Sequence, residues 1–191
     1  MTGIYATVVG SLWLAWTLCW LVSAANVKAT QKRESFASRS THLAAMILAA
    51  VLLGAPHVPH VPFLFVRMVP AGAATAVPGC LLLLTGLALS IWARVHLGRN
   101  WSGRVALKED HELIRTGPYA IVRHPIYTGL LMAMAGTSLV LGEWRGLLAV
   151  LLMGVSYWRK LRVEERLLSG TFGDSYLRYC EHTAALIPYL L

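Results

Sequence analysis

The chain has 191 residues, 57% hydrophobic and only 14% charged, with a net charge of +8 and a mean hydropathy of +0.58. A soluble domain of this length carries about 25% charged residues, so the composition excludes an ordinary water-soluble fold and points to one integral membrane domain over 1–191. The positive charge does not mark a nucleic-acid binder, because the basic residues flank apolar spans instead of clustering on a soluble face.

The apolar run that begins near Ile4 and reaches about Val27 is too long for a signal-peptide core and lacks a basic leader. It is expected to be a retained first span over 4–25, with Trp13, Trp16 and Trp20 at helical spacing as a packing or lipid-contact stripe. Residues 26–42 form a polar loop with Lys28, Lys32, Arg33 and Arg39 against one acid, Glu34. The next apolar run, Leu43 to Ala55, is short for a hydrocarbon core of about 30 Å. It must borrow the residues before it or cross as a broken helix. His57 and His60 follow, but Pro56, Pro59 and Pro62 disrupt any helix that would align them on a metal. Residues 76–97 form a third span ending in Trp92, Arg94 and His96. Residues 98–124 are the longest polar stretch. A fourth span covers about 126–142, Gly142-Glu143-Trp144-Arg145-Gly146 is a tight turn, and a fifth span runs from Leu147 to about Trp158. So short a connection makes the last two spans antiparallel neighbours. From Arg159 the chain is polar with a helical pattern, then closes in an apolar-aromatic end. Cys19, Cys80 and Cys180 are far apart and form neither a disulfide framework nor a metal motif; they are expected to be buried structural thiols.

Charge sets the orientation. With the first span running outside to inside, the loops at 26–42 and 93–124 and the tail from 159 share one side. That side holds 15 of the 17 Lys and Arg residues, leaving only Arg67 and Arg145 opposite. The positive-inside rule places the three segments in the cytoplasm. They bring together Arg115-Thr116-Gly117-Pro118-Tyr119, Arg123-His124-Pro125-Ile126-Tyr127-Thr128-Gly129 and Arg159-Lys160-Leu161-Arg162-Val163-Glu164-Glu165-Arg166. Residues near 124–128 and 158–165 are expected to meet at one membrane depth, where polar groups are costly unless paired or hydrated and so are functional candidates. An interfacial ion-pair belt is the plain alternative. The chain has no phosphate-binding glycine loop, no His/Glu zinc spacing and no alternating strand pattern, which excludes a soluble nucleotide-binding fold.

Gly117-Pro118-Tyr119, Arg123 through Gly129, Glu164-Glu165, Phe172-Gly173-Asp174-Ser175-Tyr176 and Ile187-Pro188 resemble, in order and spacing, the isoprenylcysteine carboxyl methyltransferase family. That family is itself similar to membrane phospholipid N-methyltransferases. The resemblance covers residues 95–190, whereas residues 1–94 are similar only in having apolar spans. It implies an all-α bundle of about five transmembrane helices, with a cytoplasmic pocket for S-adenosyl-L-methionine built by the C-terminal half. Carried over by position, it implies cofactor contacts from His111, Glu112, Leu113, Ile114, Tyr119, His124, Pro125, Ile126, Tyr127 and Glu164. Arg104 falls near a further contact position but is not the residue type the family places there. Catalytic roles fall to His124, Tyr127 and Glu164. The family often places a substrate-engaging arginine four residues before the first glutamate. This chain has Lys160 there, beside Arg159 and Arg162; Lys160, Arg123 and Arg162 are the substrate-side candidates. A lysine does not hold a carboxylate bidentately as an arginine does.

The residue chemistry agrees with that transfer. A sulfonium with an amino-acid head calls for a carboxylate, which Glu164 supplies, and an aromatic face, which Tyr119 or Tyr127 supplies. His124 and His111 can donate to the cofactor carboxylate or ribose. A phenol or amine acceptor gains from a base, for which His124 is the first candidate, while a carboxylate acceptor needs none. Ordinary structural roles stand beside these: Tyr127 as interfacial anchor, His124 as helix-start hydrogen-bonder, Glu165 as solvated partner of Arg162, Gly129 as a close-approach residue, and Asp174, Tyr176 and Tyr179 as docking points for the tail. The expected acceptor is a hydrophobic small molecule or lipidated group arriving from the bilayer. Two other functions stay open: a membrane reductase of the sterol-reductase type using a nicotinamide cofactor, and a non-catalytic membrane scaffold.

Overall fold

The computed structural model describes residues 3–24, 30–33, 36–54, 61–98, 101, 106–108 and 113–188. Among these the chain is helical: α1 Gly3–Ala24, α2 Phe36–Gly54, α3 Ala73–Leu97, α4 Pro125–Leu141, α5 Trp144–Phe172 and α6 Asp174–His182, with 3-10 turns at Pro62–Phe65 and Gly117–Ala120. Gly3–Ser23 and Ala73–Leu97 are long and apolar enough to cross a membrane, and Arg39–Gly54 and Pro125–Leu141 are shorter apolar helices. The short second run does borrow from the residues before it, since α2 starts at Phe36. The motif with His57 and His60 lies outside the described residues.

The helical pattern expected from Arg159 onward is present, and it is continuous with the fifth apolar run: α5 covers Trp144–Phe172, 29 residues in all. Its charged second half has helical propensity and no breaker, so nothing stops it. A short ribbon also forms, β1 Thr30–Arg33 antiparallel to β2 Ala106–Lys108. Its residues are mostly polar and too few to show alternation. The ribbon ties the two long basic loops together at one end of the bundle.

The helices alternate in direction, as contacts at their ends establish. At one end Arg94 of α3 donates to the Ser23 carbonyl of α1 and to that of Gly98 at 2.9 Å. At the same end Arg159 of α5 donates to Thr41 of α2 at 3.3 Å. At the other end Arg67 caps α4 by donating to the Leu141 carbonyl at 2.9 Å. There Arg145 pairs with Glu143 at 2.6 Å and donates to the Leu52 carbonyl of α2 at 3.2 Å. Gly142, in the left-handed region at φ 67°, makes the turn that reverses α4 into α5.

Two apolar clusters fill the bundle. Val9, Ala76, Leu83, Leu87, Ala133 and Val140 join α1, α3 and α4. Ala49, Leu52, Leu64, Met134, Ala149, Met153 and Tyr157 join α2, α4 and α5. The tryptophan stripe faces inward in part: the indole of Trp13 donates to Thr137 at 3.0 Å and that of Trp16 to Ser90 at 2.7 Å. Such bonds satisfy polar groups where no water competes. The thiols are less enclosed than expected, with Cys19 exposed and Cys80 and Cys180 partly buried.

The tightest seam is α3 against α4. A Cβ on Gly129 would stand 2.5 Å from the Gly86 carbonyl oxygen and 2.8 Å from the Ser90 nitrogen. Both obstacles are backbone, which cannot swing aside. Replacing Gly129 by Ala is therefore expected to push the two helices apart and cost about 1–3 kcal/mol. Thermal unfolding in detergent, with Gly154→Ala on the open face as control, would measure it.

Candidate active site

The site forms where the sequence puts a proline after a histidine. Pro125 opens α4, where its missing N–H is no loss and its fixed φ suits the first turn. His124 is the N-cap, but its side chain makes no capping hydrogen bond. The buried ring instead reaches across to α5, with Nδ1 3.4 Å from Glu164 and Nε2 3.4 Å from Glu165. The tail holds the backbone of this turn. Arg123 N–H donates to the Ala184 carbonyl at 2.8 Å, and His124 N–H to that of Ala185 at 3.0 Å. The Thr128 hydroxyl donates to the carbonyl of Leu186 at 2.7 Å.

Each glutamate has a second partner. Tyr127 donates its hydroxyl to Glu164 at 2.5 Å. The Arg123 guanidinium donates to Glu165 through Nε at 2.9 Å and approaches it through Nη2 at 2.9 Å. It also donates to the tail carbonyls of Cys180 at 3.3 Å and Thr183. Glu165 is thus held by Arg123 and His124, not by Arg162 as its spacing suggested. Arg162 lies over the Trp158 ring at 5.2 Å, on the exposed side of α5.

The electrostatics follow from this enclosure. Burial works against ionising Glu164, but hydrogen bonds and charge from His124, the charge of Lys160 and the Tyr127 hydroxyl outweigh it, so its pKa lies below the carboxylate norm. Burial likewise opposes ionising Glu165, and His124 with Arg123 bring it below the norm. For His124 burial favours the neutral ring, but the two carboxylates prevail and its pKa is raised. Each shift favours the charged form of its group.

The aromatic residues pack around it. Tyr127 stacks with His124 (5.6 Å between centroids, 10°) and with Tyr157 (4.7 Å, 14°). Its hydroxyl, more than its faces, addresses the site. Lys160 lies 5.6 Å from the Tyr127 ring centroid. Tyr119 is buried. It stacks with His96 (6.4 Å, 25°), donates to the Ala93 carbonyl at 3.4 Å and is close enough to Glu164 for that charge to raise its pKa, after burial. Gly117 lets this turn sit on His96: its φ is 59° and a Cβ would fall 2.7 Å from the imidazole. The Tyr179 hydroxyl donates to the Tyr119 carbonyl at 2.5 Å, so α6 docks the tail on the same turn.

Of the residues singled out in the sequence, the structure brings together Tyr119, Arg123, His124, Pro125, Tyr127, Lys160 and Glu164. Leu113, Ile114 and Ile126 are half-buried on the segments leading to the site. His111, Glu112 and Arg104 lie outside the described residues. No group of three or more metal-ligating side chains occurs among the described residues. Sequence reasoning missed Tyr157 and His96. Tyr157 sits in an apolar run, and its only signal is that it lies seven residues, or two turns, before Glu164. His96 ends a span and gave no sign that it would receive Gly117.

The sequence model of the phospholipid methyltransferase family matches residues 74–175, which include every member of the cluster. The chain is 35% identical over 114 residues to protein-S-isoprenylcysteine O-methyltransferase of Schizosaccharomyces pombe, covering 56% of this chain and 47% of that protein. It is 32% identical over 115 residues to the enzyme of that name from Saccharomyces cerevisiae, covering 59% and 48%. To protein-S-isoprenylcysteine O-methyltransferase B of Arabidopsis thaliana it is 27% identical over 118 residues, covering 59% and 58%. The match therefore spans about half the length of the yeast relatives.

The cluster carries a pH signature. The raised pKa of His124 contributes stability that is complete below the ordinary imidazole value of 6.5 and is lost as pH rises through the folded value. The lowered values of Glu164 and Glu165 contribute stability that is complete above the ordinary 4.5 and is lost as pH falls through the folded values. Their joint contribution is greatest between these limits and falls on either side. Melting temperature followed against pH in detergent should show this, and His124→Gln should remove the alkaline fall.

Proposed function

Since the chain belongs to the phospholipid methyltransferase family, we propose that it is a membrane methyltransferase using S-adenosyl-L-methionine, and that the Glu164 cluster holds this donor. The donor set suits the molecule: an ionised, enclosed carboxylate is a fit partner for its sulfonium or ammonium charge. Glu164 would hold the cationic part, with the Tyr119 turn beside it and Leu113, Ile114, Pro125 and Ile126 as apolar walls. The chemistry supplied there is a methyl group activated on sulfur. The chain contributes position: Tyr127 and His124 fix the Glu164 carboxylate, and Arg123 with Glu165 fixes His124. Holding two reactants in line can supply several kcal/mol of a displacement barrier.

The engagement of both His124 ring nitrogens by Glu164 and Glu165 carries the reading of the acceptor. A base must be able to take a proton near neutrality from its substrate; neither lowered glutamate suits that, and both nitrogens of His124 are already turned to carboxylates. The acceptor suited to such a site is a nucleophile already ionised, a carboxylate, in preference to a phenol or ammonium. A lipidated cysteine carboxylate fits this chemistry and the similarity to the isoprenylcysteine enzymes, with Lys160 and Arg162 as candidate cations on the acceptor side. The family match favours methyl transfer over the nicotinamide reductase. We further propose the five-span arrangement, with the site on the cytoplasmic side. Its supports are the alternating helix directions and the grouping of basic loops at the Glu164 end.

Two measurements test this. Glu164→Gln should weaken S-adenosyl-L-methionine binding by roughly ten- to a hundredfold in calorimetry, the range for losing a charge-assisted contact; unchanged affinity would refute the assignment. Labelled methyl transfer should favour a farnesylcysteine derivative over phosphatidylethanolamine or an alkylphenol, and the product should be a base-labile ester.

A further inference from the structure

Tyr127 holds Glu164 only if its ring is kept in place. The ring stacks with both His124 and Tyr157. Tyr157 in turn meets His42, the ring centroids 5.6 Å apart at 48°. His42 belongs to the second turn of α2, in the N-terminal half and outside the stretch matched by the family model. It is anchored as well as packed: its Nδ1 lies 2.7 Å from the Ser156 hydroxyl of α5. One residue earlier, Thr41 accepts from Arg159 at 3.3 Å. Two polar bridges thus seat this turn of α2 on α5, beside the residues that precede Lys160. The outcome is a column of four rings, His42, Tyr157, Tyr127 and His124, from α2 across α5 to α4, with Glu164 bonded to the third and paired with the fourth.

A constellation this close to a reaction needs side chains whose own rotamers are locked by neighbours. Two ends lock this column. At one, His124 is buried between carboxylates. At the other stands His42. Truncating it opens a flank beside Tyr157, which can then move toward α2, and Tyr127 loses that flat partner.

We propose that His42 is a positioning residue of the site: by bracing Tyr157 it fixes Tyr127, and through the Tyr127 hydroxyl it fixes the carboxylate of Glu164. The effect on the donor rests on the function proposed above; the coupling between His42 and Tyr127 does not.

The test is a double-mutant cycle with a kinetic arm, on the full chain in detergent. His42→Ala should lower the melting temperature clearly in the wild-type background and far less in a Tyr127→Phe background, since side chains in one network are non-additive. It should raise the KM for S-adenosyl-L-methionine about tenfold, as a misplaced group can, and leave the KM for the acceptor unchanged. His42→Phe, which keeps a ring against Tyr157, should recover most of the loss. Leu43→Ala, an exposed neighbour on the same turn, should behave as wild type. Additive melting shifts would overturn the proposal, as would a donor KM that His42→Ala leaves unchanged. So would a His42→Phe variant as impaired as His42→Ala. A wild-type chain that binds no donor but shows the non-additive cycle would leave the column standing and remove the methyltransferase reading.

Discussion

Two adjacent carboxylates on one helix, largely withdrawn from water, set the terms for this molecule. Successive residues of an α-helix point about 100° apart, so Glu164 and Glu165 cannot share a partner's single atom. His124 meets the difficulty with its two ring nitrogens, one toward each acid. Tyr127 and Arg123 complete the two sides. Removing one partner of such a buried pair typically costs about 3–5 kcal/mol, because the other charge stays behind. Much else serves to deliver these groups: Pro125 starts α4 at the right residue, the tail braces the backbone on either side of it, and α3 supports the turn that carries Tyr119.

The site was legible in outline because its residues cluster in two short stretches with strong local grammar. Gly117-Pro118 and His124-Pro125 mark turns, and paired acids beside a membrane span demand an explanation. The antiparallel turn at Gly142 was enough to bring 124–128 against 158–165. Partner choice was not legible. Glu165 lies three residues after Arg162, a spacing that favours pairing on an isolated helix, yet Arg123 from another segment takes it, with two guanidinium nitrogens on one carboxylate oxygen in a partly buried setting. His42, at the edge of a loop, gave no signal, and Tyr157, inside an apolar run, gave only its place two turns before Glu164, since a stack between three helices leaves no period in the chain.

Of the fold, the apolar runs announced their helices, and the short run over 43–55 correctly required help from its N-terminal flank. The seam between α3 and α4 was visible only as scattered small residues. Its closeness is a property of two helices together: Gly86 and Gly129 each leave room for the other's backbone. The ribbon of β1 and β2 had no sequence pattern at all. Its formation depends on two loops emerging at one end of the bundle, which the helix directions decide first.

Under the five-span arrangement proposed above, the continuous course of α5 has a consequence for the lipid around it. From Trp144 to Glu164 is 20 residues, about 30 Å of rise, which equals the usual hydrocarbon thickness of about 30 Å. The helix is in effect a ruler, with Arg145 and Glu143 at one mark and the glutamate pair at the other. In that arrangement a thicker or thinner bilayer would be accommodated by tilt of the helix. Acyl-chain length is thereby linked to the depth at which the paired acids stand.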